Sequence, residues 1–210
     1  MARKVTDGPI RNKERTKAKL INAVRKILKK DGFPGLNISK VAETAKVDRR
    51  MIYDYFGGLE PLVQAYLNER DYWKINPEEV QQLIHASKAD GGRALAQQVL
   101  ENQFDSLTDS EEMRQIITWG LSMKLPILKA LDLKREQIGE QLFSELIDQH
   151  FKDSHQNFRA IYALLMGGVY YLTLHSGNLN NPFCGIDIQQ PQGKEEIKKA
   201  LQQLIEFAYR

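Results

Sequence analysis

Apolar residues recur at intervals of three and four along most of the chain, and strand-like alternation is absent. The pattern predicts an all-α protein with nine or ten helices. Leu20, Ile21, Val24, Ile27 and Leu28 form one stripe on a first helix from about residue 12 to 30, flanked by Lys17, Arg25, Lys29 and Lys30. Asp31-Gly32 stops it, because Gly32 accepts the left-handed cap conformation, and Phe33 is expected to fold back onto the core. Two short helices follow. The first carries Ile38, Val41, Ala42 and Ala45 on one face, with Asn37 or Ser39 as its cap. Lys46 and Val47 make the joint, and Asp48 is placed to cap a second helix running to Phe56. On that helix Ile52 and Phe56 should face inward, leaving Arg49, Arg50, Tyr53 and Asp54 outside. Gly57-Gly58 ends the unit.

Downstream, the spacing predicts a helix from about 59 to 73, with Pro61 in its first turn, and a break at Ile75-Asn76-Pro77. Further helices are expected at about 78–88, 92–107, from 111 with Ser110 as cap, and 133–151, with Pro126 kinking or ending the one before it. The segment from Ala160 to Leu174 is apolar on nearly every side, within a helix from about 157 to 175. Its Gly167-Gly168 pair permits close backbone approach. A polar loop from Ser176 to Gly193 leads to a last helix with Ile197, Leu201, Leu204, Ile205 and Ala208 on one stripe.

Length and charge sharpen this picture. A chain of 210 residues suits one or two domains with a proper core, and one cysteine excludes a disulfide framework or a multi-cysteine metal site. The uncharged run from Ala160 to Leu174 is shorter than the roughly 18 residues a membrane span needs, so a buried helix is expected. Residues 1–19 are mainly basic and polar, unlike a secretory leader, so a cytoplasmic protein is expected. The overall charge of +3 hides an asymmetry: residues 1–60 carry 15 Lys+Arg against 7 Asp+Glu, and the remainder carries 15 against 20. A basic segment attached to an acidic one suggests two tasks on one chain, with nucleic acid the commonest partner of the basic part.

Two short helices joined by a tight turn, after a basic helix, describe a helix-turn-helix unit. The second helix is narrow enough for the major groove, where its first side chains meet base edges. Arg49 or Arg50 can donate a bidentate pair to guanine, and Asp54 can accept from cytosine N4. Tyr53 and Tyr55 offer hydroxyls to phosphate. Ser39 and Lys40 at the start of the first short helix, Asp48, and Lys13, Arg15 and Lys17 of the basic arm complete the candidate DNA-contacting set. Arg3, Lys4, Arg11 and Lys19 add charge to the arm. A helical hairpin with merely solvated arginines is the bland counterpart of this reading.

The run from Ile38 to Leu62 resembles the DNA-binding signature of the TetR family of bacterial repressors. It shares the Val41-Ala42 pair, Ala45, Val47, the Tyr53-x-Tyr55-Phe56 ending, and Glu60 with Leu62 opening the next helix. The first helix is similar too, with Leu20-Ile21, Ala23-Val24, Ile27-Leu28 and Gly32-Phe33 in order. The chain departs from the pattern at Lys46, where Gly is usual, at Asp48 in place of a small hydroxyl residue, and at Met51 and Leu59 in place of Thr and Lys. The last two would remove two phosphate anchors, and the basic arm with Arg49 and Arg50 is the expected compensation.

The resemblance implies a three-helix DNA-binding domain at 1–58 and a larger helical domain at 59–210 for effector binding and dimerisation. It further implies a ligand-released repressor, homodimeric through its last two helices. A helix apolar on all sides, followed by an amphipathic one, independently suits a two-fold interface. Phe104, Trp119, Met123, Phe143, Tyr162, Met166 and Tyr170 are the candidates for lining an effector pocket, although such residues at helical spacing often belong to the core.

Catalysis finds little support. His85, His150, His155 and His175 are scattered, Cys184 has no nearby histidine, and no HExxH pair or phosphate-binding glycine loop is present. No cofactor is expected. The competing reading is a helical ligand-binding or protein-interaction module whose divergent head binds DNA weakly.

Overall fold

The computed structural model describes residues 9–70 and 76–210, with side chains from Asn12 onward. Arg3, Lys4, the side chain of Arg11 and the expected helix end at Trp73 fall outside the described residues. The described chain is helical, with a single isolated bridge, Phe183 to Ile186, as its only extended pairing. It divides into two compact units, Met1–Asp71 and Tyr72–Arg210.

The first unit holds α1 (Pro9–Asp31), α2 (Ile38–Ala45), α3 (Arg50–Phe56) and α4 (Leu59–Arg70). The apolar stripe of α1 is buried as its spacing requires, with Leu20, Val24, Ile27 and Leu28 nearly inaccessible. Val41 and Ala42 of α2, Ile52 of α3, and Leu62, Tyr66 and Leu67 of α4 close the same core. Burying each of the larger aliphatic side chains is worth about 1.5–3 kcal/mol. Helix α4 packs on α1 and α3. The expected division at 58/59 therefore differs from the contact boundary at 71/72, because Leu62, Val63, Tyr66 and Leu67 turn toward the head. Gly32 has the expected positive φ of 64°, but its ψ of −168° lies outside the left-handed helical well. Phe33 is half-buried and opens a 3₁₀ turn, Phe33–Gly35.

The second unit holds α5 (Pro77–Ala86), α6 (Arg93–Asp109), α7 (Glu111–Ser122), α8 (Pro126–Leu142), the single turn α9 (Asp148–His150), α10 (Phe158–Leu179) and α11 (Pro191–Ala208). Helix α6 is its centre, packing against α7, α10 and α11 through Leu95, Leu100, Phe104 and Leu107. Asn76 and Glu79 form a reciprocal capping box at α5, and the Ser110 hydroxyl accepts from the Met113 N–H at 3.2 Å. Pro126 does not kink α7: that helix ends at Ser122, and Pro126 opens α8, where its missing N–H costs nothing. The helix expected at 133–151 begins earlier and changes pitch, passing through a π turn at Phe143–Ile147 before α9.

Phe151, Phe158, Tyr209 and His150 pack in one aromatic cluster, by stacked and edge-to-face contacts, at the ends of α9, α10 and α11, with centroids 4.8–5.0 Å apart. The Tyr209 hydroxyl donates to the Gly91 carbonyl at 3.1 Å, and burial pushes its phenol above the usual range. Gly91 has a φ of 64°, and a side chain there would collide with His150. Gly167 and Gly168, by contrast, face open space, so no element within the described residues uses the close approach they permit. None of the helices described is long and apolar enough to cross a membrane.

Candidate nucleic-acid interface and ligand cleft

The helix-turn-helix is built by short-range bonds that the local sequence dictates. The Asn37 side chain accepts from the Lys40 N–H at 2.9 Å, which starts α2 and settles its cap in favour of Asn37 over Ser39. Lys46 ends α2 in the left-handed conformation, φ 56° and ψ 49°, with its N–H bonded to the Glu43 carbonyl at 3.1 Å. A non-glycine residue there carries a backbone cost of roughly 1 kcal/mol. The Asp48 carboxylate accepts from the Arg50 N–H at 2.8 Å, and its carbonyl accepts from Met51 N–H at 3.0 Å. Asp48 thus starts α3 from one residue further back than a strict cap, since Arg49 already has helical dihedrals. Gly57, φ 83°, closes α3 in the left-handed conformation with its N–H on the Tyr53 carbonyl.

Ile52 is completely buried and anchors α3 to the core. Its burial turns Arg49, Arg50, Tyr53 and Asp54 outward, all exposed, whereas Phe56 and Tyr55 are half-buried. The Arg49 guanidinium reaches back to Ser39 Oγ at 3.4 Å, a long contact across the turn. Arg50 and Asp54 project without such a brace. Lys13 lies 5.8 Å from the centre of the Tyr55 ring, which brings the start of α1 beside the end of α3. Lys17 pairs with Glu14 at 3.3 Å and Lys40 with Asp31 at 2.9 Å, so these two cations have partners on the head itself. Arg15 is exposed. Met51 and Leu59 are half-buried apolar side chains and supply no phosphate donor. Lys46, read from the sequence only as a turn conformation, adds an exposed cation between α2 and α3; its place in the joint of a basic head was the available signal.

In the second unit a cleft of about 360 Å³ opens between α8 and α10. Four expected pocket residues, Phe143, Tyr162, Met166 and Tyr170, line it. Phe104 does not: it is fully buried in α6. Trp119 and Met123, half-buried at the end of α7, are not part of its wall either. Residues the sequence did not single out complete it. Arg159 bridges Glu140 (2.5 and 3.1 Å) and Asp148 (2.6–3.0 Å), clamping α8 to α9 across the π turn. The hydrogen bond from Arg159 holds the Glu140 carboxyl below its ordinary value, and the two carboxylates together raise the guanidinium's. The Arg159 guanidinium also lies 5.0 Å from the Phe143 ring centre. The Tyr162 hydroxyl donates to the Ala96 carbonyl at 3.3 Å. Among the described residues no group of three histidine, cysteine or acidic side chains could hold a metal ion.

A family model described as bacterial regulatory proteins, tetR family, matches residues 20–66. The chain is 27% identical over 123 residues to the HTH-type transcriptional regulator BetI of Burkholderia mallei, covering 57% of this chain and 60% of that protein. It is 35% identical over 86 residues to the HTH-type transcriptional repressor NicS of Pseudomonas putida, covering 41% and 39%. The matched stretch is therefore under two thirds of either relative's length. A crystal structure of a TetR family transcription regulator from Marinobacter aquaeolei VT8 superposes with a TM-score of 0.57 at 16% identity, over 93% of this chain and 97% of that one. That last likeness is one of fold.

Proposed function

We propose that the chain is a TetR-family regulator, as the match of residues 20–66 to that family's model supports, and that it is a sequence-specific DNA-binding transcriptional regulator, a homodimeric repressor released by a small effector. The observation that carries the reading is the outward face of α3. Buried Ile52 fixes the helix, leaving Arg50, Tyr53 and Asp54 exposed at its surface. Arg50 is the principal reader, with a fork of donors suited to guanine O6 and N7, and Asp54 accepts from a cytosine amino group. Arg49, braced on Ser39, together with Tyr53, Tyr55, Lys13, Arg15 and Lys17, meets phosphates and fixes the register. Lys40 must exchange Asp31 for phosphate to join them, and Asp48 serves by starting the helix.

The dimer forms through α10 and α11, whose Leu164, Tyr171, Leu204 and Phe207 are exposed apolar side chains. Two heads related by a two-fold axis would read half-sites about one helical turn apart. The effector occupies the α8–α10 cleft and acts by binding one arrangement of the heads better than the other. A regulator of this kind works in the cytoplasm, where its DNA is.

The test is fluorescence anisotropy on DNA from upstream of the protein's own gene, against scrambled DNA, across a salt series. Selective binding that weakens steeply with salt is expected. Absence of selectivity on that DNA and on a random-sequence pool at low salt would instead favour a ligand-binding module with a silent head. Met51 and Leu59, which offer no phosphate donor, are the residues that motivate this second reading.

A further inference from the structure

We propose that the cleft between α8 and α10 takes an amphipathic organic cation, its charge held by Asp132 and Glu136 and its apolar body by the aromatic wall of α10. The inference deepens the effector reading and rests on it. One wall is a stripe of carboxylates: Asp132, Glu136 and Glu140 stand four residues apart on α8 and so share a face. The facing wall is Tyr162, Met166 and Tyr170, again one helical stripe, with the Phe143 ring beside Arg159. Aromatic faces and a thioether are polarizable surfaces that attract a desolvated cation.

The charges of the cleft divide into spent and unspent groups. Arg159 is spent, because Glu140 and Asp148 neutralise it from two sides and its face lies over Phe143. An anionic ligand would have to displace a carboxylate from that chelate. Asp132 and Glu136 are exposed and carry no ion pair or hydrogen bond among the described residues, and they outnumber Arg135, the remaining cation of the lining. The unspent charge is therefore negative and sits opposite aromatic rings. A neutral ligand would use the rings alone, and an anion would meet repulsion.

Three probes of one shape and different charge test this: the cationic dye 4-(4-dimethylaminostyryl)-N-methylpyridinium, its neutral unmethylated pyridine at pH 8, and the anionic 4-(4-dimethylaminostyryl)benzoate. Binding to the full-length protein is followed by dye fluorescence, and release of operator DNA is followed separately. The cation should bind about tenfold or more tightly than the other two. The double variant Asp132→Asn/Glu136→Gln should erase that preference without weakening the neutral probe. Ala163→Phe, at an exposed lining position, should fill the cleft and remove binding, with its thermal melt confirming the fold. Equal binding of the three probes, binding of none, or a preference that survives the double variant overturns the ligand class. Cation binding that passes these controls but leaves operator DNA bound overturns the effector reading and keeps the ligand class. Release of DNA by the neutral probe alone does the reverse.

Discussion

Helices α3 and α10 are both left partly uncovered by their own chain, yet they present opposite surfaces. The open side of α3 carries Arg49, Arg50, Tyr53 and Asp54, groups that stay hydrated until they meet another charged or polar surface. The open side of α10 carries Leu164, 78% exposed, and Tyr171, 54% exposed, and α11 adds Phe207 at 57%. Apolar groups on that scale call for a partner that excludes water. Under the proposed function, the contrast keeps the two associations of one chain apart. A charged face binds strongly only to a polyanion and weakens with salt, whereas an apolar face binds a second protein surface with little regard to salt.

The comparison breaks most visibly at the apolar face. Leu164→Glu combined with Phe207→Glu should raise the dimer dissociation constant by about a thousandfold or more, read by analytical ultracentrifugation. An unchanged dimer would remove α10 and α11 from the interface. Next in size is the anchor of the charged face. Ile52→Ala should cost about 2–5 kcal/mol of head stability in urea unfolding, since its side chain is completely buried. Loss of DNA binding with an intact dimer would separate the two faces, and a cost near zero would mean that Ile52 does not hold α3.

Arg50→Ala should relax base preference by about 1–3 kcal/mol while leaving dimerisation alone. Lys13→Ala would provide its counterpart, weakening every sequence alike and flattening the salt slope by about one. Lys46→Gly should stabilise the head by about 1 kcal/mol, because it relieves a left-handed side chain, and thermal melting would register a rise. If the melting point falls instead, the Lys46 side chain contributes more than its backbone costs. The smallest effect concerns the Arg159 clamp. Glu140 is held below its ordinary value of 4.5, so its contribution is present above that value and is lost as pH falls through the lower folded one. The stability gap between wild type and Glu140→Gln should therefore close in acid, and a gap that widens there would contradict the pairing.

Much of the head was legible because its determinants are local. The α1 stripe, a cap at Asn37 or Ser39, the turn at Lys46 and the inward Ile52 each depend on neighbours within about one helical turn. The sites of the second unit were legible only in part. Phe104 and Phe143 look alike in the periodicity, yet one is core and the other lines a cleft. What separates them is placement: Phe104 lies on α6, which α7, α10 and α11 cover, whereas Phe143 opens the π turn at the end of α8, beside Arg159. Pro126 shows the same ambiguity, since a proline that ends one helix can also open the next.

Residues close together in the chain sufficed for an all-helical protein with a basic helix-turn-helix head, a cap at Ser110 in the second unit, and a hydrophobic penultimate helix. Those properties follow from periodicity, capping and charge, which act between residues close in the chain. Tertiary structure alone decided that α4 packs with the head, that Arg49 braces Ser39, and that Arg159 gathers Glu140 and Asp148 beside Phe143. Each of these joins groups far apart in sequence or on separate elements, and their meeting is set by how whole helices bury their apolar faces, a balance no short stretch of residues encodes.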